Sequence, residues 1–249
     1  MIKAPAGQGY VAFLQGLHAS VLFDWYIEIG CRNGRMFAPV RGKTIAVDPY
    51  FRAELNIIGK KPALHVFQEK SDDFFASGFL PRNDIRLSFG FIDGMHLFEY
   101  LLRDFMNFEA HAAEGAVVAF HDCCPYTTEM AGRDLDNLPK EGGWTGDVWK
   151  ILPILRDYRP DLKVTVLDAR PTGLVLVSGL TPGNRVLQEN YNKIVERFEP
   201  VTLESFGIEA YNSLFDFTDP RVLQKDGYAL FDAIKLDPAN ALRPTFISP

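Results

Sequence analysis

The sequence predicts an α/β protein: a mostly parallel sheet with helices on both faces and an antiparallel last strand. Three observations lead there. From residue 26 onward, apolar β-branched runs of about five to seven residues alternate with longer amphipathic segments. That alternation is the pattern of a parallel sheet covered on both sides. The last two runs are joined only by Asp168-Ala169-Arg170-Pro171-Thr172, and five residues are too few for a parallel crossover. Finally, the apolar run that begins at Tyr26 ends in the glycine-punctuated loop Gly30-Cys31-Arg32-Asn33-Gly34, at the strand end where such folds bind ligands.

The elements follow in order. Residues 1–20 mix glycine, alanine and aromatics and predict a short helix packed on the domain. Seven strands are expected: Tyr26–Ile29, Thr44–Val47, Ala63–Phe67, Ile85–Ile92, Ala116–Phe120, Leu162–Leu167 and Gly173–Ser178. Helices are expected at Gly34–Val40, Ser71–Ser77, His96–Ala112 and Asp147–Tyr158. The third of these has an apolar stripe at Leu97, Leu101, Leu102, Phe105 and Phe108, and Glu114-Gly115 is read as its end. Pro153 removes a backbone donor and predicts a kink in the fourth. Pro125–Gly146 has no clear period and follows a strand end, so it reads as a mobile loop or lid. Helical segments follow at Asn184–Phe198 and Thr202–Phe215, and the tail Pro238–Pro249 is read as irregular.

Bulk properties narrow the function. At 249 residues the chain suits one domain, here a core of about 23–180 with a helical addition at 1–22 and a helical extension at 181–249. A formal charge of −6 without a basic cluster argues against nucleic acid. Cys31, Cys123 and Cys124 do not make a disulfide framework, since two are adjacent, and a reducing compartment is the simpler reading. The N-terminus lacks a signal pattern and no apolar run is long enough to span a bilayer, so a cytoplasmic protein without a membrane partner is expected.

Five successive strands end in polar or glycine residues, which suggests one shared cleft: Glu28 and Gly30, Asp48, Gln68 and Glu69, Asp93 and His96, then His121 and Asp122. Glu28 is placed to bind loop amides or a cofactor ammonium group. Gly30 and Gly34 permit close backbone approach, or simply make a tight turn. Asp48 can accept hydrogen bonds from both hydroxyls of a ribose, or form a turn before Pro49. Arg32 stands where a dinucleotide loop has its second glycine, so a cofactor without phosphate fits better.

Asp93 is either a helix cap or part of a reactive pair with His96, which a helix N-terminus would keep neutral and able to accept a proton. Asp93, His121 and Asp122 offer oxygen and imidazole ligands for a divalent ion; the alternative is loop capping. Cys123 and Cys124 lack a partner pair for zinc and read as reduced thiols. Ser71-Asp72-Asp73 starts a helix, and a cofactor base could rest on that turn. Asp147 is read as the N-cap of its own helix, and Trp144 and Trp149 as pocket wall or core.

Together these residues resemble the class I S-adenosylmethionine-dependent methyltransferases, in the subgroup of small-molecule O-methyltransferases related to the macrocin and macrolide-sugar enzymes. The resemblance spans roughly residues 23–180. Glu28-Ile29-Gly30-Cys31-Arg32-Asn33-Gly34 is similar to the first motif, and Asp48 to the ribose-binding acid. Phe91-Ile92-Asp93-Gly94-Met95-His96 and Ala116-Val117-Val118-Ala119-Phe120-His121-Asp122 resemble the more specific pair of motifs. The resemblance implies a Rossmann-like seven-stranded methyltransferase sheet. It implies Glu28, Gly30, Asn33, Gly34, Asp48, Ser71 and Asp72 around S-adenosylmethionine, and His96 as base with Asp93 beside it. It also implies Asp93, His121 and Asp122 as ligands of a divalent cation such as magnesium. His121 departs from the carboxylate of the metal-dependent members, and magnesium prefers oxygen, so that site is weakened. The expected activity is methyl transfer to a small-molecule hydroxyl, with the 181–249 extension completing the pocket or making a homo-oligomer contact. A cofactor-binding protein without turnover, a nicotinamide-dependent oxidoreductase and a hydrolase using Cys123 or Cys124 remain as alternatives.

Overall fold

The computed structural model describes residues 1–139 and 143–238. Its strands are β1 (Trp25–Ile29), β2 (Lys43–Val47), β3 (Leu64–Phe67), β4 (Leu87–Ile92), β5 (Ala112–His121), β6 (Lys163–Leu167), β7 (Leu174–Ser178) and β8 (Phe217–Thr218). They form one sheet in the order β3-β2-β1-β4-β5-β7-β6-β8. The first five strands are parallel, and β7 lies antiparallel between β5 and β6, as the five-residue connection requires. Eight strands stand where seven were expected. The additional strand is the two-residue β8 of the extension, which pairs parallel to β6.

The helices are α1 (Tyr10–Ser20), α2 (Ser71–Ala76), α3 (Phe79–Arg82), α4 (Phe98–Ala110), α5 (Ile151–Tyr158), α6 (Val186–Phe198), α7 (Leu203–Phe206), α8 (Ile208–Asn212) and α9 (Pro220–Lys225). The sequence expectation fails in several places. Gly34–Val40 is a run of turns: Gly34 has φ +79, Pro39 interrupts, and the stretch is too short to nucleate a helix. The long helix begins at Phe98, so His96 precedes it, and it ends at Ala110. Glu114-Gly115 lies inside β5, at a register irregularity against β4. Pro153 produces no mid-helix break, because it occupies the first turn of α5, just after the 3-10 turn Val148–Lys150, where a missing donor costs little. Thr202–Phe215 divides into α7 and α8 at Gly207, whose φ is +91. The tail beyond Pro238 lies outside the described residues.

Side-chain alternation gives the sheet two cores. Ile27, Ile45, Val47, Val118, Phe120 and Val175 face α2, α4, α5 and α6. Tyr26, Ala46, Phe89, Phe91, Val117 and Leu176 face α1 and the 3-10 segment Ala229–Ile234. The extension therefore supplies core on both sides: Leu187, Ile194 and Tyr211 in the first, Tyr228, Phe231 and Ile234 in the second. Among the described residues no helix is long and apolar enough to cross a membrane.

Phe231 is fully buried, with ring centroids 5.8 Å from Phe23 and 5.5 Å from Phe89. Phe231→Ala should cost about 3–5 kcal/mol in denaturant unfolding. A loss below about 1 kcal/mol would mean that the extension is an appendage and not part of the core.

Candidate active site

Neighbouring β1 and β4 are where the strand order reverses, so the loops leaving them diverge and open a crevice. A cavity of about 840 Å³ occupies it. That volume suits a nucleoside-sized cofactor with a small second molecule. Its walls are the loops after β1, β2, β4 and β5, the start of α2, and Tyr10 and Val11 at the start of α1.

Gly30 is required by two features. Its φ is +84, and a Cβ there would overlap the carbonyl oxygen of Asp93. Its amide donates to Val47 O (3.0 Å), while the Asp93 amide donates to Ile29 O (2.9 Å). Asp48 accepts from the Arg32 amide (2.6 Å) through Oδ2 and from the Tyr50 amide (2.7 Å) through Oδ1. Its carboxylate thus shapes the loop and lines the cavity, each oxygen keeping a further lone pair for a ligand. Arg32 adopts a left-handed φ of +47 and also lines the cavity. Asn33, Ser71 and Asp72 line it too, with Asp72 held by Arg103 (2.8 Å).

Two expected cofactor residues are placed elsewhere. Glu28 is 1% exposed and does not line the cavity; its carboxyl takes the Tyr26 hydroxyl at 2.7 Å, because its position on β1 points it into the second core. Burial outweighs that hydrogen bond and pushes Glu28 up to about 8. Gly34 also lies off the cavity lining, where a Cβ would meet Ile57 and Phe37.

At the other end of the crevice two carboxylates alternate with two imidazoles. His96 Nε2 lies 3.3 Å from Asp93 Oδ1 and 3.3 Å from Asp122 Oδ2. His121 Nδ1 lies 3.3 Å from Asp93 Oδ1 and 3.3 Å from Asp122 Oδ1. His96 Nδ1 meets Trp144 O at 2.9 Å, and Thr172 donates to Asp122 Oδ1 at 2.5 Å. Asp122 has φ +60, a strained conformation of the sort found at functional sites. Burial alone would lower both histidines, but the two carboxylates outweigh it and hold both above the ordinary imidazole range. Burial would likewise raise Asp93, and the His121 and His96 rings outweigh it and hold the carboxyl well below its usual range. The expectation of a His96 kept neutral by a helix N-terminus is therefore overturned: the residue precedes α4, and its nearest charges are acidic.

The grouping that suits a metal also differs from the expected one. Among the described residues, Asp93, His96 and Asp122 each offer a ligand atom, all within 4.8 Å of one another. His121 touches both carboxylates but falls outside that group. Two carboxylates and an imidazole form a mixed oxygen–nitrogen donor set, which fits a transition-metal ion better than magnesium.

Residues 11–123 match the model of a family described as a methyltransferase domain. No curated protein matches the chain. Among solved structures, the cofactor-bound Rv0187 from MTB is similar at 15% identity, covering 71% of this chain and 83% of that one, with a TM-score of 0.50. At that identity the likeness speaks for the fold alone. The O-methyltransferase TomG from Streptomyces achromogenes, involved in tomaymycin synthesis and solved with SAM, has 15% identity over 70% of this chain and 81% of that one, with a TM-score of 0.49. The MycE methyltransferase of the mycinamycin pathway, solved with Mg and SAH, has 15% identity over 69% of this chain and 48% of its own, with a TM-score of 0.44.

At the crevice, Tyr10 and Thr172 gave no signal in the sequence, whereas Trp144 was read as pocket wall or core and lies beside His96. Tyr10 stacks on His121 with centroids 3.9 Å apart, and burial, with Asp93 and Asp122 nearby, raises its hydroxyl. Trp144 and Thr172 reach the site across long sequence separations. Trp149, by contrast, is fully buried in the first core. Cys31, Cys123 and Cys124 are free and buried, and burial raises all three thiols, which leaves no thiolate nucleophile.

Glu28 gives a test in pH. Its folded-state carboxyl titrates above the ordinary 4.5, so the stability tied to its proton is complete below that value and lost as pH rises through about 8. Glu28→Gln should therefore match the parent near pH 5 and exceed it by about 2 kcal/mol or more near pH 9 in denaturant unfolding. An unchanged pH slope in the variant would refute the buried, protonated carboxyl.

Proposed function

We propose that the protein moves the methyl group of S-adenosylmethionine to a hydroxyl oxygen of a small molecule, with His96 as general base. The observation that carries this reading is the setting of His96. Its Nδ1 is engaged by the Trp144 carbonyl, and its Nε2 stands in the crevice between Asp93 and Asp122. The residues present suit the donor. Asp48 suits the ribose hydroxyls, the Ser71–Asp72 turn suits the adenine, and the Gly30 loop gives the backbone approach that the methionyl part needs.

The donor supplies a sulfonium-activated methyl group, so the chain's own work is alignment and proton removal. Asp93 orients the acceptor hydroxyl toward the methyl carbon. As the C–O bond forms and the C–S bond breaks, the hydroxyl proton passes to Nε2 of the neutral form of His96, which Asp93 and Asp122 make a stronger base but a smaller share of the ring population, and the sulfur departs as a neutral thioether. Tyr10, which lines the cavity and stacks on His121, and Trp144, whose ring lies beside that of His96, flank the reacting end and shield it from water.

A second reading follows from the 4.8 Å grouping: a divalent ion held by Asp93, His96 and Asp122, with His121 behind them. It would lower the acceptor's pKa and orient it. Nε2 of His96 cannot be ligand and base together, so the two readings separate experimentally.

Calorimetry should detect S-adenosylhomocysteine binding, and its absence would sink the methyltransferase reading. His96→Ala should cut turnover by about 10²–10⁴-fold on any acceptor found in a hydroxyl panel, with donor affinity held within about 2-fold. Turnover that survives exhaustive chelation favours His96 as base. Turnover lost to chelation and restored by manganese favours the ion.

A further inference from the structure

Asp147 is 1% exposed, and it joins four parts of the fold. Its Oδ1 accepts from the Phe98 amide at 2.9 Å. Helix α4 has no side-chain cap of its own, since Leu97 precedes it, so Asp147 caps this helix from 49 residues away and not the helix that follows it in sequence. Its Oδ2 accepts from Arg133 Nη1 and Lys150 Nζ, each at 2.6 Å. Arg133 in turn makes a two-pronged pair with Glu99 in the first turn of α4, at 2.9 and 2.7 Å. Its guanidinium and the Lys150 ammonium both lie over the Phe98 ring, at 5.5 and 5.0 Å. Two cations and two anions thus close a buried, charge-balanced network at the start of α4.

Asp147 and two residues just before it, Trp144 and Gly146, also contact His96. The Asp147 amide donates to His96 O at 3.1 Å. Gly146 has φ +55, and a Cβ on it would overlap that same carbonyl oxygen. Trp144 O meets His96 Nδ1 at 2.9 Å, and the two rings lie 5.2 Å apart. His96 is therefore held at its backbone by Gly146 and Asp147 and at its ring by Trp144, while the network fixes that segment to α4.

We propose that Asp147 and Arg133 are positioning residues, which clamp the Trp144–Asp147 segment onto α4 and so fix the place and ring orientation of His96. The pattern makes sense of a costly choice. A buried ion network is no better for stability than an apolar cluster of the same volume, but it has a unique geometry. That geometry is what a base facing two carboxylates requires. The functional weight of the proposal rests on the reading of His96 as base, whereas its structural content does not.

Removal of Asp147 would strand the buried Lys150 ammonium and risk misfolding. The test therefore uses Arg133→Gln, Arg133→Lys and Gly146→Ala in the full chain. One readout is nitrogen-resolved NMR of the histidine rings, with His18, His65 and His111, which lie outside the acid–imidazole cluster, as internal references. In the parent, the Nδ1 proton of His96 should be slow to exchange. Arg133→Gln and Gly146→Ala should lose that signal while the reference rings keep theirs, and Arg133→Lys should restore it. The second readout is kinetic: kcat should fall about 100-fold in Arg133→Gln, with affinity for S-adenosylhomocysteine within about 2-fold and recovery in Arg133→Lys. A His96 signal unchanged in both disruptive variants, or equal broadening of every histidine, would overturn the clamp. The NMR arm needs neither donor nor acceptor. If the parent binds no S-adenosylhomocysteine, the enzymatic reading falls and the ring signals still decide the clamp.

Discussion

One close approach organises the molecule: the backbone of Gly30 against the carbonyl of Asp93. The two residues leave the ends of β1 and β4, the neighbours at which the strand order turns. Gly30 donates to Val47 O, Asp93 donates to Ile29 O, and no side chain fits between them. Three strand ends are thus tied within one hydrogen-bonding layer. On the β2 side of this tie lie Asp48 and the Ser71–Asp72 turn, and on the β4–β5 side lie the reacting groups. A Cβ at residue 30 would drive the two halves of the crevice apart before any ligand entered. Gly30 is therefore a spacing requirement between the two halves of the crevice as well as a turn requirement.

The reacting end shows how buried charge is tolerated here. Asp93 and Asp122 are two carboxylates in one small space, where like charges would ordinarily raise a pKa. They are instead separated by the rings of His96 and His121, and each histidine nitrogen touches both acids at 3.3 Å. The cluster is nearly neutral when both rings carry protons, which offsets the desolvation of all four groups. An ion in the crevice would take over the role of those protons. The same residues therefore suit either proton removal or metal ligation, and protonation at His96 marks the difference.

The parts legible in the sequence were those whose signal is local. All seven expected strands are present to within a few residues, because each is a continuous apolar run. The hairpin of β6 and β7 followed from connection length alone. Asp48, Asp93, His96, His121 and Asp122 came together because strand ends of a parallel sheet share one edge. The failures have physical causes. Glu28 sits on the strand face that turns inward, and a period-2 pattern cannot say which face a lone acid takes when both faces are buried. Asp147 has the chemistry of a cap, but the helix it caps is separated from it by 49 positions, beyond any local rule. Tyr10 reaches the site only because α1 is pinned by the Tyr10 amide to Arg170 O at 3.0 Å. The two-residue β8 is too short to carry a pattern.

This division between local and distant determinants also runs through the crevice. The donor half is built from strand ends and backbone, which cannot change without disturbing the sheet. The other half, which holds Asp93, His96, His121 and Asp122, also depends on residues of the segment that follows β5, and the described ends of that segment meet. Thr145 donates to Met130 O through its amide (3.0 Å) and its hydroxyl (2.9 Å), and Trp144 Nε1 donates to Gly132 O (2.7 Å). Arg133, immediately inside the closure, is anchored to Glu99 and Asp147. These contacts make a fixed neck between Met130–Arg133 and Trp144–Asp147. The neck keeps the Trp144 ring 5.2 Å from that of His96, so the setting of the imidazole is fixed by contacts on both sides of it and not by the β4 strand end alone.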